Sequence, residues 1–106
     1  VTNHIARMVI ADNPVRTDAD FEKQLADIDG ALEDAVDRVM DAKPNAFILG
    51  ISALSVWGGT VEWGEELKRR VRRRAGWDIP VTISSDAVVA GLKAHGIKKR
   101  IAVMEP

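Results

Sequence analysis

Short apolar runs and longer amphipathic stretches alternate along this chain of 106 residues. The apolar runs at residues 4–10, 46–50, 81–83 and 100–103 have the length of strands and are bounded by turn-forming residues. The run at 46–50 carries no charge, which is typical of a strand buried on both faces of a parallel sheet. The pattern therefore predicts four strands, with residues 46–50 near the centre of the sheet.

Three helices are predicted between these strands. The first follows a capping box formed by Thr17 and Asp20, carries apolar residues at spacings of three and four from Phe21 to Val39, and ends before Pro44. The second begins at a Thr60 cap and ends at Gly76, and the third is capped by Ser84 or Ser85 and is closed by Gly96. The order βαβαβαβ predicts an α/β fold, in which a parallel sheet has helices on both faces.

Composition narrows the classes of function. The chain is 46% hydrophobic with a formal net charge of −1, so no global field favours a nucleic-acid or lipid partner. It contains no cysteine, which excludes disulfides, thiolate metal sites and a cysteine nucleophile within these residues. No apolar run approaches the roughly 20 residues of a membrane span, and no signal peptide is visible, so a cytoplasmic location is expected. Because both ends fall on strand-like segments, we expect a piece of a longer protein.

The candidate site follows the central strand. In open α/β sheets, ligands bind beyond the carboxyl ends of the strands, where helix N-termini offer free N–H groups. Gly50, Ser52 and Ser55 lie at this place and could bind an oxyanion. The alternative is that the serines only terminate the strand and satisfy its turn, and the residues alone favour that alternative.

Two further features have simple structural explanations. Ser84 and Ser85 follow the next strand at the same edge of the sheet, but a helix cap explains them fully. Gly58 and Gly59 could allow close approach of a ligand, or could form a turn with positive φ.

The basic run at residues 68–74 could neutralise phosphates, but it lies in the last turns of a helix whose first turns are acidic, so a solvated helix face is favoured. His4 and His95 are in no metal-ligand motif. Arg7 would need a partner or an anion if its strand were central.

Four segments together resemble the aspartate/glutamate racemase superfamily, in the branch of maleate cis–trans isomerase and arylmalonate decarboxylase. They are residues 2–7, 50–55, 80–87 and 96–106. The resemblance implies a flavodoxin-like half-domain, with residues 1–98 forming most of a first α/β domain that lacks its first strand. Residues 99–106 would then begin a second domain, and the active site would lie between the two.

The resemblance also implies a reaction. Racemases and isomerases of this family carry cysteine at the position of Gly50, whereas the decarboxylases carry glycine there and take their proton donor from the second domain. Ser52 matches a serine that holds the substrate carboxylate and stabilises an enediolate. Ile51 stands where threonine is expected, so only its backbone N–H remains, and Ser55 could compensate.

The resemblance thus implies a lyase that needs no metal or organic cofactor and decarboxylates a small dicarboxylic acid. The alternatives are a maleate isomerase or aspartate/glutamate-type racemase, and a non-catalytic carboxylate-binding member. The partners of this protein would be its substrate and the second domain, and neither nucleic acid nor a membrane is expected. The resemblance leaves open whether the protein forms a homo-oligomer. Without the second domain, these residues should be inactive, because half of the cleft would be absent.

Overall fold

The structure is a computed structural model that describes residues 1–102. In this part of the chain, five helices accompany one two-stranded parallel sheet. The helices are α1 (Asp18–Gly30), α2 (Leu32–Met40), α3 (Ser52–Trp57), α4 (Val61–Ala75) and α5 (Ser84–Ala94). The strands are β1 (Phe47–Ile48) and β2 (Val81–Thr82), with Phe47 opposite Val81. None of the helices described has a stretch long and apolar enough to cross a bilayer.

The predicted fold class is wrong, because residues 1–102 are mostly helical and form no βαβαβαβ sheet with helices on both faces. Phe47, Leu49 and Val81 face the core, whereas the side chain of Ile48 is 80% exposed and Thr82 is also exposed. Successive strand residues point to opposite faces, so one face of the sheet is covered and the other is open.

Two of the four predicted strands are absent from the described residues. Residues 4–10 do show strand-like alternation, since Ala6, Met8 and Ile10 are half-buried while their neighbours are exposed. The segment makes no ladder with β1 or β2, however, and the carbonyl of Arg7 instead accepts a hydrogen bond from the Arg38 guanidinium at 2.7 Å. Alternating burial in this segment is therefore not accompanied by strand pairing. Residues 100–102 are irregular, and 103–106 lie outside the described residues.

The long first helix is divided in two at Ala31. Gly30 weakens the helix there, and the N–H of Ala31 closes a tight turn on the carbonyl of Ile28 at 3.1 Å. The carbonyl of Asp29 accepts a hydrogen bond from Arg70 of α4 at 3.0 Å. This contact with α4 satisfies a carbonyl group that the break leaves without a helical partner. The change of direction at Ala31 lets the apolar face of α2 pack against α4.

The helix ends show which capping predictions hold. The capping box of α1 is present, with the N–H of Asp20 donating to the Thr17 hydroxyl at 3.2 Å. Thr60 caps α4, whose C-terminal Gly76 has a φ of 83°. Gly96 also has a positive φ, as expected after α5. The predicted serine cap of α5 is wrong: Ile83 is the N-cap residue, and no side chain caps this helix.

We expect Thr17→Ala to lower the free energy of unfolding by about 1 kcal/mol, because it removes an acceptor from the first turn of α1. Ser85→Ala should change it by less than about 0.5 kcal/mol, because this serine makes no capping bond. Urea denaturation measures both values. Equal losses in the two variants would contradict the assignment of the caps.

The core lies where α2 and α4 meet the covered face of the sheet. Its most deeply buried side chains are Leu32, Leu67, Val71, Ile79 and Ile83, each at most 2% exposed. At the edge of the α2–α4 contact, Arg70 donates to both carboxylate oxygens of Glu33 at 2.7 and 2.9 Å and to Asp29 at 2.5 Å. These bonds lower the pKa of Glu33 below its usual range.

We expect Arg70→Met to lower the free energy of unfolding by about 2 kcal/mol at pH 7, because it leaves two partly buried carboxylates without their cation. Arg69→Met is the matched control, since its side chain is 59% exposed and its ion pair with Glu66 is worth little. Urea denaturation from pH 7 to pH 3 is the measurement.

The pH dependence has a definite sign. The depressed pKa of Glu33 contributes stability above its unfolded value of about 4.5, and this contribution is lost as pH falls through the folded pKa. The difference between the wild type and Arg70→Met should therefore shrink in acid. A difference that is constant with pH would contradict the ion-pair explanation.

Candidate functional site

Two helices begin at the carboxyl edge of the sheet. Helix α3 starts at Ser52, shortly after β1, and α5 starts at Ser84, one residue after the end of β2. Because β1 and β2 are parallel, both strand ends lie at the same edge, and α3 and α5 contact each other. We call this place the rim, formed by residues 50–54 and 84–86.

The N-termini of the rim helices are left open. Neither Ile51 nor Ile83, the two N-cap residues, offers a side-chain acceptor to the first turn. Helices α1 and α4 are both capped by threonine hydroxyls, whereas α2, which follows α1 directly at Ala31, has no side-chain cap either. Among the described residues, no acceptor bonds the amides of Ser52–Leu54 or Ser84–Asp86. The amides of the exposed residues Ser52, Ser85 and Asp86, and the positive end of α5, are therefore available to an anion.

The rim residues predicted from the sequence are placed differently from one another. Gly50 and Ser52 are exposed, and the Ser52 hydroxyl has no partner among the described residues. Ile51 is half-buried and packs against the core, so it presents only its backbone to the rim. Ser55 is 5% exposed and its hydroxyl donates to the carbonyl of Ser52 at 3.0 Å. Ser55 therefore stabilises the first turn of α3 through this hydrogen bond and does not face the rim.

Open space adjoins Gly50. A Cβ built on this residue would meet no atom within 4 Å, and its φ is not in the left-handed region. Packing therefore does not require glycine here. On the α5 side, Ser84 is half-buried and Ser85 is exposed.

Lys68, which the sequence analysis considered only as part of the basic run, contributes to the electrostatics of the rim. The Lys68 ammonium lies 2.9 Å from the Asp86 carboxylate and 2.5 Å from that of Glu65, and these bonds raise the pKa of Lys68. Asp86 complements the positive end of α5. Because Lys68 pairs with two carboxylates, this group keeps one surplus negative charge, and an anion at the rim must be held by the helix amides rather than by Lys68.

The other residues considered in the sequence analysis lie outside the rim. The basic run at residues 68–74 is a paired helix face, since every cation in it has a carboxylate within 4.0 Å. His4 and Arg7 lie exposed in the N-terminal segment, and His95 ends α5. Within residues 1–102, no group of three acidic, histidine or cysteine side chains could hold a metal ion.

Trp63 joins α3 to α4 through a contact that we call the clamp, and that was not predicted from the sequence. The Trp63 indole N–H donates to the carbonyl of Leu54 at 2.8 Å, and its ring covers Gly58. The pair Gly58-Gly59 was considered for a ligand or for a turn with positive φ; Gly59 has a φ of 70°, whereas Gly58 makes room for an indole. No short-range pattern links the two residues, so the contact becomes visible only in the fold.

Comparison with known proteins adds no assignment. No family model, no curated protein and no solved structure matches the chain.

Proposed function

We propose that the rim binds a carboxylate of a small dicarboxylic acid, and that the protein is a cofactor-independent carbon–carbon lyase of the arylmalonate decarboxylase type. The observation that carries the proposal is that the two helices that follow the strands begin at the same edge of the sheet, and that neither has a side-chain cap at its N-terminus. Fixed N–H donors of this kind stabilise oxyanions.

In the proposed reaction, the contribution of these residues is to donate hydrogen bonds. One substrate carboxylate leaves as carbon dioxide, and the electron pair of the broken carbon–carbon bond passes into the retained carboxylate as an enediolate. The first-turn amides of α3 and the Ser52 hydroxyl donate hydrogen bonds to the developing negative charge. Protonation at the α-carbon then gives the monoacid. The chain contains no cysteine, so in this proposal the proton comes from outside these residues.

The openness of the rim supports a covering domain. Gly50, Ser52 and Ser85 are exposed, whereas enediolate stabilisation is strongest where water is excluded. We therefore propose that a second domain closes over the rim and supplies the acid. Gly50 disfavours the racemase and isomerase alternative, which needs a cysteine at this position in the proposed family.

The experiment uses the longest natural polypeptide that contains these residues, with an arylmalonate in deuterated buffer. Release of carbon dioxide with a deuterated monoacid, seen by NMR, is the expected result. Deuterium exchange or cis–trans conversion without carbon dioxide would select the isomerase or racemase. Calorimetric binding without any product would select the non-catalytic alternative. Absence of both binding and turnover would contradict the proposal.

A further inference from the structure

A second cavity lies beside α3, between α1 and the start of α4, and shares only Leu54 with the rim. It has a volume of about 240 Å³ and is lined by Leu25, Ala26, Asp29, Leu54, Trp57, Gly58 and Trp63. The lining is apolar except for one carboxylate at its edge. The Trp57 side chain is 63% exposed, which is a large aromatic surface to leave in water. We call this cavity the tryptophan pocket.

The two indoles are held in place by the fold. The ring of Trp57 meets the ring of Phe21 edge to face, with centroids 4.8 Å apart and an interplanar angle of 79°. Trp63 is fixed by its bond to the Leu54 carbonyl. Since that bond takes up the only polar hydrogen of the Trp63 ring, this indole lines the pocket without a free hydrogen-bond donor.

The charge beside the pocket is negative. The single guanidinium of Arg70 faces two carboxylates, Glu33 and Asp29, so the group carries one surplus negative charge. Arg70 contacts Oδ1 of Asp29, and no described donor reaches Oδ2. Asp29 also lies in the last turn of α1, which has no basic residue to balance the negative end of its dipole.

We propose that the tryptophan pocket binds an apolar organic cation, of the quaternary ammonium or aryl-alkylammonium class. Such a cation places its alkyl groups against the indole rings, which attract positive charge through their quadrupoles. Its charge lies near the free oxygen of Asp29. Neutral aromatic compounds gain only the apolar contact, and anionic ones meet the surplus negative charge.

The test is a titration of the intact chain with benzyltrimethylammonium, followed by the indole N–H signals in NMR. The chain has three tryptophans, and Trp77 lies outside the pocket, so it is an internal control. We expect saturable shifts at Trp57 and Trp63 and none at Trp77. Benzyl alcohol should bind about tenfold more weakly, and phenylacetate should not shift Trp57 or Trp63.

Two variants separate the pocket from general surface binding. Trp57→Leu should weaken binding about tenfold, since it removes an exposed ring without disturbing the core. Trp77→Leu is the matched control and should bind like the wild type. Asp29→Asn should also weaken binding, with circular dichroism to verify its fold. Unchanged affinity in Trp57→Leu, equal shifts at all three indoles, or equal binding of benzyl alcohol would overturn the proposal. None of these outcomes bears on carboxylate binding at the rim.

Discussion

Ser52→Ala should lower the kcat of decarboxylation by about 10²–10³-fold, because it removes the hydroxyl donor at the first position of α3. The side chain is exposed at the first position of the helix and makes no hydrogen bond within the described residues, so the folded structure does not depend on it. The loss should appear mainly in kcat, since a hydroxyl that serves the enediolate acts more strongly in the transition state than in the bound substrate.

The control for this variant is Ser52→Thr, which keeps a hydroxyl at the same position and should retain turnover within about tenfold. Steady-state kinetics on an arylmalonate measure both variants, and circular dichroism verifies the fold. Normal turnover by Ser52→Ala would remove this residue from the proposed chemistry. Equal losses in the alanine and threonine variants would show that the position, rather than its hydroxyl, matters.

Gly58→Ala should lower the free energy of unfolding by about 3 kcal/mol, because the new methyl group cannot coexist with the Trp63 ring. The Cβ would lie 1.9 Å from Cδ1 of Trp63, so the indole must move. Movement would break its hydrogen bond to Leu54, leave that carbonyl without its partner and loosen α3 from α4. The φ of Gly58 is −64°, so the cost comes from the contact and not from the backbone.

The matched control is Gly91→Ala in α5, where a Cβ would meet nothing within 4 Å. This substitution should leave stability unchanged or raise it by up to about 1 kcal/mol, because alanine favours helix more than glycine does. Urea denaturation followed by tryptophan fluorescence gives both values. A Gly58→Ala protein as stable as Gly91→Ala would contradict the clamp between α3 and α4.

The sequence predicted the features that a few adjacent residues determine. Thr17 with Asp20, Thr60, Gly76 and Gly96 each mark a helix end through a local bond or a positive φ, and the structure confirms all of them. The strands failed for the opposite reason. Residues 4–10 have the right alternation, but a strand also needs a distant edge to pair with, and periodicity carries no information about that edge.

The positions of most rim residues could be predicted from the sequence, while their role as a site stays a prediction. The rule that ligands bind beyond strand ends located Gly50, Ser52, Ser84 and Ser85 at one edge of the sheet, although the sheet has only two strands. The inward position of Ser55 could not be predicted, because no pattern of residues indicates that 52–57 form a helix. In that helix the serine hydroxyl bonds back to the carbonyl three residues earlier.

The most direct test of the rim is an NMR titration of the ¹⁵N-labelled protein with malonate, using malonamide as the uncharged control. We expect saturable shifts confined to the amides of residues 50–54 and 84–86, and none with malonamide. Gly50→Ala, whose methyl group would enter the open space beside the rim, should weaken binding at least tenfold, while Gly91→Ala should not. Malonate shifts that are absent from these amides, or spread evenly over the surface, would contradict carboxylate binding at the N-termini of α3 and α5.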